Sequence, residues 1–427
     1  MLEFQKMSEK ELQSLKAELT EKFEACKAQG LKLNMARGKP GADQLALSMG
    51  MLDALNSKSD MKASDGMDCR NYGEPDGLPE MRQLMGQLMG LPAENVIVGG
   101  NSSLNMMFDT VSCAMTHGLA GEKPWCQQGK LKFLCPAPGY DRHFAVTEYF
   151  GFELITVPML STGPDMDVVE KLTGSDASIK GIWCVPKYAN PTGITFSDET
   201  VRRFAALKPA APDFRIFWDN AYCVHELTDT PDVLLNLWEE CRKNGNEDLP
   251  LFFASTSKIT FPGAGIAAMG ASEKNLNTLR EHYKYQTIGP DKLNQLRHLS
   301  FLKNMDGIHA QMQKHRTLIA PKFEAVEKTF QEQLAGKGIA EWTKPNGGYF
   351  ISVDLMNGCA KRTVALCKEA GVTLTGAGAT YPYKKDPNDS NIRVAPTYPP
   401  LAEVKAAAEL FCLCAQLAAC EKLLEKA

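Results

Sequence analysis

The sequence has no apolar run approaching the roughly 18 residues needed to cross a bilayer, and no marked excess of charge of either sign. The 47 Lys and Arg against 51 Asp and Glu leave a formal charge of -4, with a pI near 6.1, which argues against a general binder of nucleic acid or of acidic membranes. Any basic site must be local. The 13 cysteines include no CxxC pair and no zinc-type spacing. An odd, scattered set reads as the reduced thiols of a cytoplasmic protein, many of them small core residues. Residues 1–10 mix acidic and basic side chains without an apolar h-region, so no signal peptide is expected. Internal repeats and low-complexity tracts are absent too. The most apolar candidate for a membrane span, residues 406–424, carries Glu409, Gln416, Glu421 and Lys422 and reads as an Ala-rich amphipathic helix.

With 427 residues, 44% of them hydrophobic and 23% charged, the chain has the make-up of a soluble globular protein and core enough for two or three domains. Ser8-Glu9-Lys10-Glu11 is a capping box, and Leu12, Leu15, Leu19, Phe23 and Cys26 recur at helical spacing until Gly30 stops the run. Residues 31–40 then read as extended and set Arg37, Gly38 and Lys39 together. Two cations around a glycine suit an anionic ligand; a solvated loop is the plain alternative. Residues 61–77, rich in Asp, Gly and Ser, form a loop by composition. Leu78-Pro79-Glu80 opens a helix with Met81, Leu84, Met85 and Leu88 on one face.

From there a pattern repeats. Short apolar runs at 95–98, 132–135, 179–185, 214–218 and 251–254 each end in a polar cluster: Gly99-Gly100-Asn101-Ser102-Ser103, Pro136-Ala137-Pro138-Gly139-Tyr140, Pro186-Lys187-Tyr188-Ala189-Asn190-Pro191-Thr192-Gly193, Asp219-Asn220-Ala221-Tyr222, and Ser255-Thr256-Ser257-Lys258. Nearly continuous apolar runs alternating with helical stretches predict an α/β architecture, a mostly parallel sheet covered on both faces. Ligands of such sheets gather at the carboxyl ends of the strands. All five clusters fall there. From about Asn304 the pattern changes to a long helical stretch reaching Leu334. Strand-like segments at 347–354, 372–374 and 391–396, with a helix at 361–370, follow. This predicts a smaller α+β domain over 304–427, which the N-terminal segment 1–60 joins, beside a large domain over 61–303.

Lys258 sits just past a buried strand, between hydroxyls and facing a Pro-Gly turn. Desolvation there would lower its pKa and leave an amine able to attack a carbonyl. The hydroxyls of Ser255 and Ser257 would hold a phosphate while the amine holds an aldehyde, and pyridoxal phosphate carries both groups. An ordinary strand-end lysine beside a Ser/Thr turn is the bland alternative. Asp219 follows a buried run in which an unpaired carboxylate would be costly; paired to a pyridine nitrogen it would keep that nitrogen protonated. An Asx turn is its alternative. Tyr222 and Asn190 are placed to donate to a phenolic oxygen, and Tyr140 to stack on a pyridine face. Gly100 to Leu104 offer amides at a helix start, with the hydroxyls of Ser102 and Ser103, as an anion site. Arg393, in a strand-like apolar segment, suits a bidentate clamp on a carboxylate, or else an internal salt bridge. Residues 263–268 match the GxGxxA dinucleotide fingerprint, but nine residues separate them from the preceding strand and Lys258 intrudes, which argues against a dehydrogenase.

The order Tyr72, Gly100-Asn101-Ser102-Ser103, Tyr140, Asn190-Pro191-Thr192-Gly193, Asp219-x-x-Tyr222, Ser255-x-Ser257-Lys258, Arg393 resembles that of fold-type I, class I aminotransferases. Ala36-Arg37-Gly38-Lys39-Pro40, residues 255–265 and Ile288-Gly289-Pro290-Asp291-Lys292 are similar to the subclass Ic aspartate aminotransferases, a MocR-like branch. The resemblance implies a seven-stranded-type sheet between helices, pyridoxal 5'-phosphate as cofactor, and a homodimer with shared active sites. It also implies that Lys258 binds the cofactor and then shuttles a proton, Arg393 clamps the substrate's α-carboxylate, Gly38 lines the substrate side, and Tyr72 reaches the neighbouring subunit's phosphate. The arginine that usually follows the lysine to grip the phosphate is missing, so Lys292 or Arg297 is considered in its place. The basic DNA-binding module of the true regulators has no counterpart here, which argues for an enzyme. The implied reaction passes an amino group between aspartate and 2-oxoglutarate, with Arg37, Lys39, Arg70 and Lys292 as candidates for the side-chain carboxylate. Alanine or broad-specificity transamination, a C-S lyase on the same scaffold, and a catalytically silent cofactor-binding protein are the alternatives.

Overall fold

The structure, a computed structural model, describes residues 3–425. Met1 and Leu2, part of the opening segment read for a signal peptide, lie outside the described residues, as do Lys426 and Ala427. In chain order the strands are β1 (Leu33–Asn34), β2 (Val96–Val98), β3 (Lys132–Ala137), β4 (Glu153–Leu160), β5 (Gly163–Pro164), β6 (Ile179–Cys184), β7 (Arg215–Asp219), β8 (Pro250–Ser255), β9 (Ala267–Gly270), β10 (Ala340–Trp342), β11 (Ile351–Leu355), β12 (Val372–Thr373) and β13 (Asn391–Val394). The large sheet runs β2-β9-β8-β7-β6-β3-β4-β5. Five central strands, β8, β7, β6, β3 and β4, are mutually parallel. β9 is antiparallel to both β8 and β2, and the two-residue β5 adds an antiparallel edge to a seven-stranded body.

Besides the two-residue β5, two of these strands escaped the apolar-run criterion for different reasons. β4 lies near the sheet edge with only Leu154 and Val157 buried, and Thr156 and Pro158 interrupt its sequence. β9 occupies the second half of the GxGxxA match: residues 262–264 make a single 3-10 turn and Ala267–Gly270 are strand. No helix opens where a pyrophosphate would have to sit.

Alternation along each central strand builds a core on both faces. Ile216 and Trp218 of β7 and Phe252 of β8 join one cluster with Leu134, Ile182 and Phe204; Phe217, Leu251 and Phe253 point the other way, into a cluster with Phe133, Trp183 and Met269. Each such side chain contributes roughly 1.5–3 kcal/mol by leaving water. Together these contacts hold the strand ends rigid.

A third cluster joins the two ends of the chain. The helix Glu9–Lys27, closed at its start by the expected Ser8 and Glu11 capping box, packs against the helix Leu401–Leu424. β1 pairs in parallel with β12, and β10, β11 and β13 form an antiparallel sheet beside them. The helix Met305–Gln333 runs along the same core. The segment read as an amphipathic helix differs from that reading, because residues 410–420 are buried all round. The helices Glu9–Lys27, Met305–Gln333 and Ala360–Glu369 enclose it, and no helix among the described residues is long and apolar enough to cross a membrane.

Candidate active site

β3 is followed by a neighbour on one side, β4, and by β6 on the other. This reversal of winding opens a crevice at the carboxyl ends of the strands, the place where open α/β sheets bind ligands. The cavity there measures about 550 Å³, and its walls carry residues from every one of the five polar clusters. Ser102, Ser103, Tyr140, Asn190, Asp219, Tyr222, Ser255, Ser257, Lys258, Gly38 and Arg393 all line it. Tyr72 does not; it is 76% exposed on its loop.

Lys258 lies three residues beyond β8, with Nζ 4.8 Å from the centre of the Tyr222 ring and 5.9 Å from that of Tyr349. Desolvation lowers its pKa, while the Asp219 carboxylate pulls the other way. The result is an amine more readily neutral than a surface lysine.

Asp219 ends β7 and is buried. Its Oδ2 lies 3.0 Å from His143 Nε2, and the His143 ring stacks on Trp183 at 4.6 Å. Oδ1, equally buried, has no hydrogen-bond partner among the described residues. A buried carboxylate with one oxygen held and one unpaired, in the wall of a cavity, calls for a donor from a ligand. The protonated nitrogen of a pyridine ring meets that demand.

The tyrosines are donors rather than anions. Burial, with Asp219 nearby, pushes Tyr140 up to about 12, and burial holds Tyr222 well above the ordinary phenol range. Asn190 is buried, and its Oδ1 accepts from Arg393 Nη1 at 3.2 Å.

For an anion, the helix Ser103–His117 presents its N-terminus to the cavity. Ser102 occupies the cap position without using its hydroxyl to cap, so helix amides and hydroxyl are free for a ligand. Ser255 Oγ donates to Ser257 Oγ at 3.1 Å, and Ser257 Oγ to the Asn101 carbonyl at 3.3 Å, which ties the end of β8 to this turn. Neither Lys292 nor Arg297 lines the cavity. Lys292 donates to the Gly73 carbonyl and Arg297 to Asn294. The hydroxyls and amides of this turn thus offer a phosphate its contacts without either of the two expected cations, and the set as a whole fits pyridoxal phosphate.

On the substrate side, Arg393 Nη1 donates to Asp141 at 2.9 Å, Nη2 to Thr375 Oγ1 at 3.3 Å, and the guanidinium lies 4.9 Å over the Phe350 ring. Gly38 is there because a Cβ would overlap that ring. Of the candidate cations, Arg37 and Lys39 line the cavity; Arg70 pairs with Asp68 elsewhere, and Lys292 is engaged as described. Arg142 joins them on the wall. His143, Asp141 and Arg142 escaped the sequence reading, although they directly follow Tyr140 at the start of the helix Asp141–Tyr149. The signal was their position, immediately after a strand-end cluster.

The model of the aspartate amino-transferase family matches residues 7–427. The chain belongs to this family. It is 44% identical over 405 residues, 95% of this chain and 93% of the other, to an aspartate aminotransferase of Corynebacterium glutamicum. A crystal structure of an aspartate transaminase from the same organism superposes with a TM-score of 0.96 at 43% identity, covering 99% of both chains. A Thermus thermophilus α-aminoadipate aminotransferase, at 18% identity, shares the fold with a TM-score of 0.72 over 94% of this chain and 96% of its own. The chain is thus an aminotransferase, a member of a family whose chemistry runs on pyridoxal phosphate. The expected α/β sheet between helices is that of these enzymes.

Proposed function

We propose that this aminotransferase exchanges an amino group between L-aspartate and 2-oxoglutarate, giving oxaloacetate and L-glutamate. One observation carries the reading: Lys258, Asp219, Asn190 and Arg393, remote in sequence, line a single cavity. Pyridoxal phosphate, when bound, supplies an electron-withdrawing ring that stabilises charge at the amino acid's Cα.

Within that frame each residue has a task its surroundings support. Lys258 would hold the cofactor through its aldehyde carbon, and its amine would take up and return the proton at the amino acid's Cα. Asp219 Oδ1 accepts from the ring nitrogen while His143 keeps the carboxylate in place. Tyr222 and Asn190 donate to the phenolic oxygen, and Tyr140 covers the ring. The hydroxyls of Ser102, Ser103, Ser255 and Ser257, with the helix amides, take the phosphate. Arg393 clamps the α-carboxylate beside Gly38. The preference for a dicarboxylate draws on the relatives' names and on the cations Arg37, Lys39 and Arg142 in the wall.

The same reading makes the protein a cytoplasmic homodimer with the partner subunit's Tyr72 completing the phosphate site. The exposed position of Tyr72, outside its own cavity, and cysteines scattered without CxxC or zinc-type spacing are consistent with this. It also divides the chain into a large domain over 61–303 and a small one over 304–427 joined by 1–60, in line with the pairing of β1 with β12. The decisive experiment is a half-reaction screen of all amino acids, following the cofactor's conversion from its aldehyde to its amine form by absorbance. Aspartate and glutamate are expected to react fastest. Alanine or an aromatic amino acid ahead of both by more than about tenfold, a difference of about 1.4 kcal/mol in the barrier, would refute the dicarboxylate assignment.

A further inference from the structure

Arg393, the proposed carboxylate clamp, is not waiting with an open fork. Its side chain is only 8% exposed, and Nη1 is shared between the Asp141 carboxylate at 2.9 Å and Asn190 Oδ1 at 3.2 Å. Nη2 reaches Thr375, and Nε is buried without a partner among the described residues. Remove Asp141 and the buried guanidinium would face only neutral oxygens and the Phe350 ring, a costly state for a charge shielded from water. Asp141 therefore supplies an anion at the place where a substrate would bring one.

The aspartate is also built to let go. Its side chain is 32% exposed, so water can solvate the released carboxylate. It is the first residue of the helix Asp141–Tyr149, whose unpaired amides and dipole favour a negative charge. Arg142, the next residue, stands on the same cavity wall. Exchange of one carboxylate for another at Arg393 thus conserves the ion pair and leaves neither charge stranded.

We propose that Asp141 is a stand-in anion for the substrate, holding Arg393 while the site is free and yielding it to the incoming α-carboxylate. The inference rests on the reading of Arg393 as the clamp and adds a residue that sets how tightly the clamp closes. Asp141 is a positioning residue in this scheme. It weakens the binding of every carboxylate ligand by competing for the same guanidinium, and it keeps that guanidinium aimed into the cavity between turnovers.

The test is calorimetric titration of the holoenzyme with succinate, a dicarboxylate that cannot be transaminated. Asp141→Asn keeps an acceptor oxygen for Arg393 and removes the competing charge. Succinate should bind the variant on the order of fivefold tighter, the reach of a partly exposed ion pair, and KM for aspartate should fall in step, with a much smaller change in kcat. Asp141→Ser, which also lacks the charge, should show the same direction and serves if the Asn variant folds poorly. Unchanged or weaker succinate binding in a folded variant overturns the proposal. Arg393→Gln separates the two layers of the argument. If it weakens succinate binding while Asp141→Asn does not tighten it, the stand-in role fails and the clamp survives; if it leaves succinate binding intact, the clamp itself fails.

Discussion

Asp219 and His143, 76 residues apart, meet through a 3.0 Å contact between Oδ2 and Nε2 inside the protein, while the second carboxylate oxygen of Asp219 lies buried in the cavity wall with no partner among the described residues. One oxygen is committed to structure. The other is left for a ligand.

The first prediction follows from that division. Asp219→Ala removes the proposed partner of the ring nitrogen, and breaking a buried charged pair costs about 3–5 kcal/mol. Turnover or cofactor affinity should fall on the order of hundredfold or more, read by cofactor titration and steady-state rates. His143→Ala should produce a smaller loss in the same direction, because it frees the carboxylate to turn without removing it.

Lys258→Ala should abolish the covalent link without emptying the cavity. Borohydride treatment of the wild-type protein loaded with pyridoxal phosphate should leave a label on Lys258, located by peptide mass mapping. The variant should bind cofactor, take no label, and lose transamination by at least the 10²–10⁴-fold typical of a positioned proton-transfer group. Retained turnover would sink the assigned role.

Gly38→Ala tests the close approach of backbone to ring. Its Cβ would overlap Phe350, whose ring lies under the Arg393 guanidinium, and relief of such crowding typically costs about 1–3 kcal/mol. The expected signature is a raised KM for the amino acid, from a displaced clamp, with cofactor binding little changed. An unaltered KM would show that the Phe350 ring yields freely.

Acid sensitivity should trace to His298, buried beneath the Lys258 loop against Thr256 and Thr260. Burial lowers its pKa to about 4, against an unfolded value near 6.5. Between these values the unfolded chain binds the proton and the folded one does not, so stability is fully present above about pH 6.5 and drains away as the pH falls toward 4. The difference is roughly 3 kcal/mol at the low end. His225 and His315, both lowered mainly by burial, act in the same sense. Urea unfolding midpoints measured from pH 7 to 4 should fall steeply in the wild type and less steeply in His298→Gln, and identical slopes would rule His298 out.

What could be read from the residues alone was whatever depends on short-range pattern. Continuous apolar runs marked five strands of the large sheet because a strand covered on both faces must be apolar at every position. The clusters at their ends marked the site because parallel strands deliver all their carboxyl ends to one edge. Lys258, Asp219 and Arg393 stood out as polar groups costly to bury unless something meets them, and Asn190 as a donor within a strand-end turn. The capping box at Ser8 and the start of the long helix at Asn304 were likewise local, since a helix terminus is satisfied by side chains within one turn.

The tertiary structure decided the partnerships. Only the fold brings His143 beneath Asp219, sets Asp141 against Arg393 across 252 residues, and draws Lys292 and Arg297 away from the cavity to Gly73 and Asn294. It also buries the middle of the helix Leu401–Leu424 on all sides by packing the helices Glu9–Lys27, Met305–Gln333 and Ala360–Glu369 against it. Such choices follow from which of many possible charge and packing partners the backbone places within reach, and that distance is a property of the assembled sheet and helices. The amino-acid order records which side chains are expensive to leave unpaired; the folded chain determines what each of them meets.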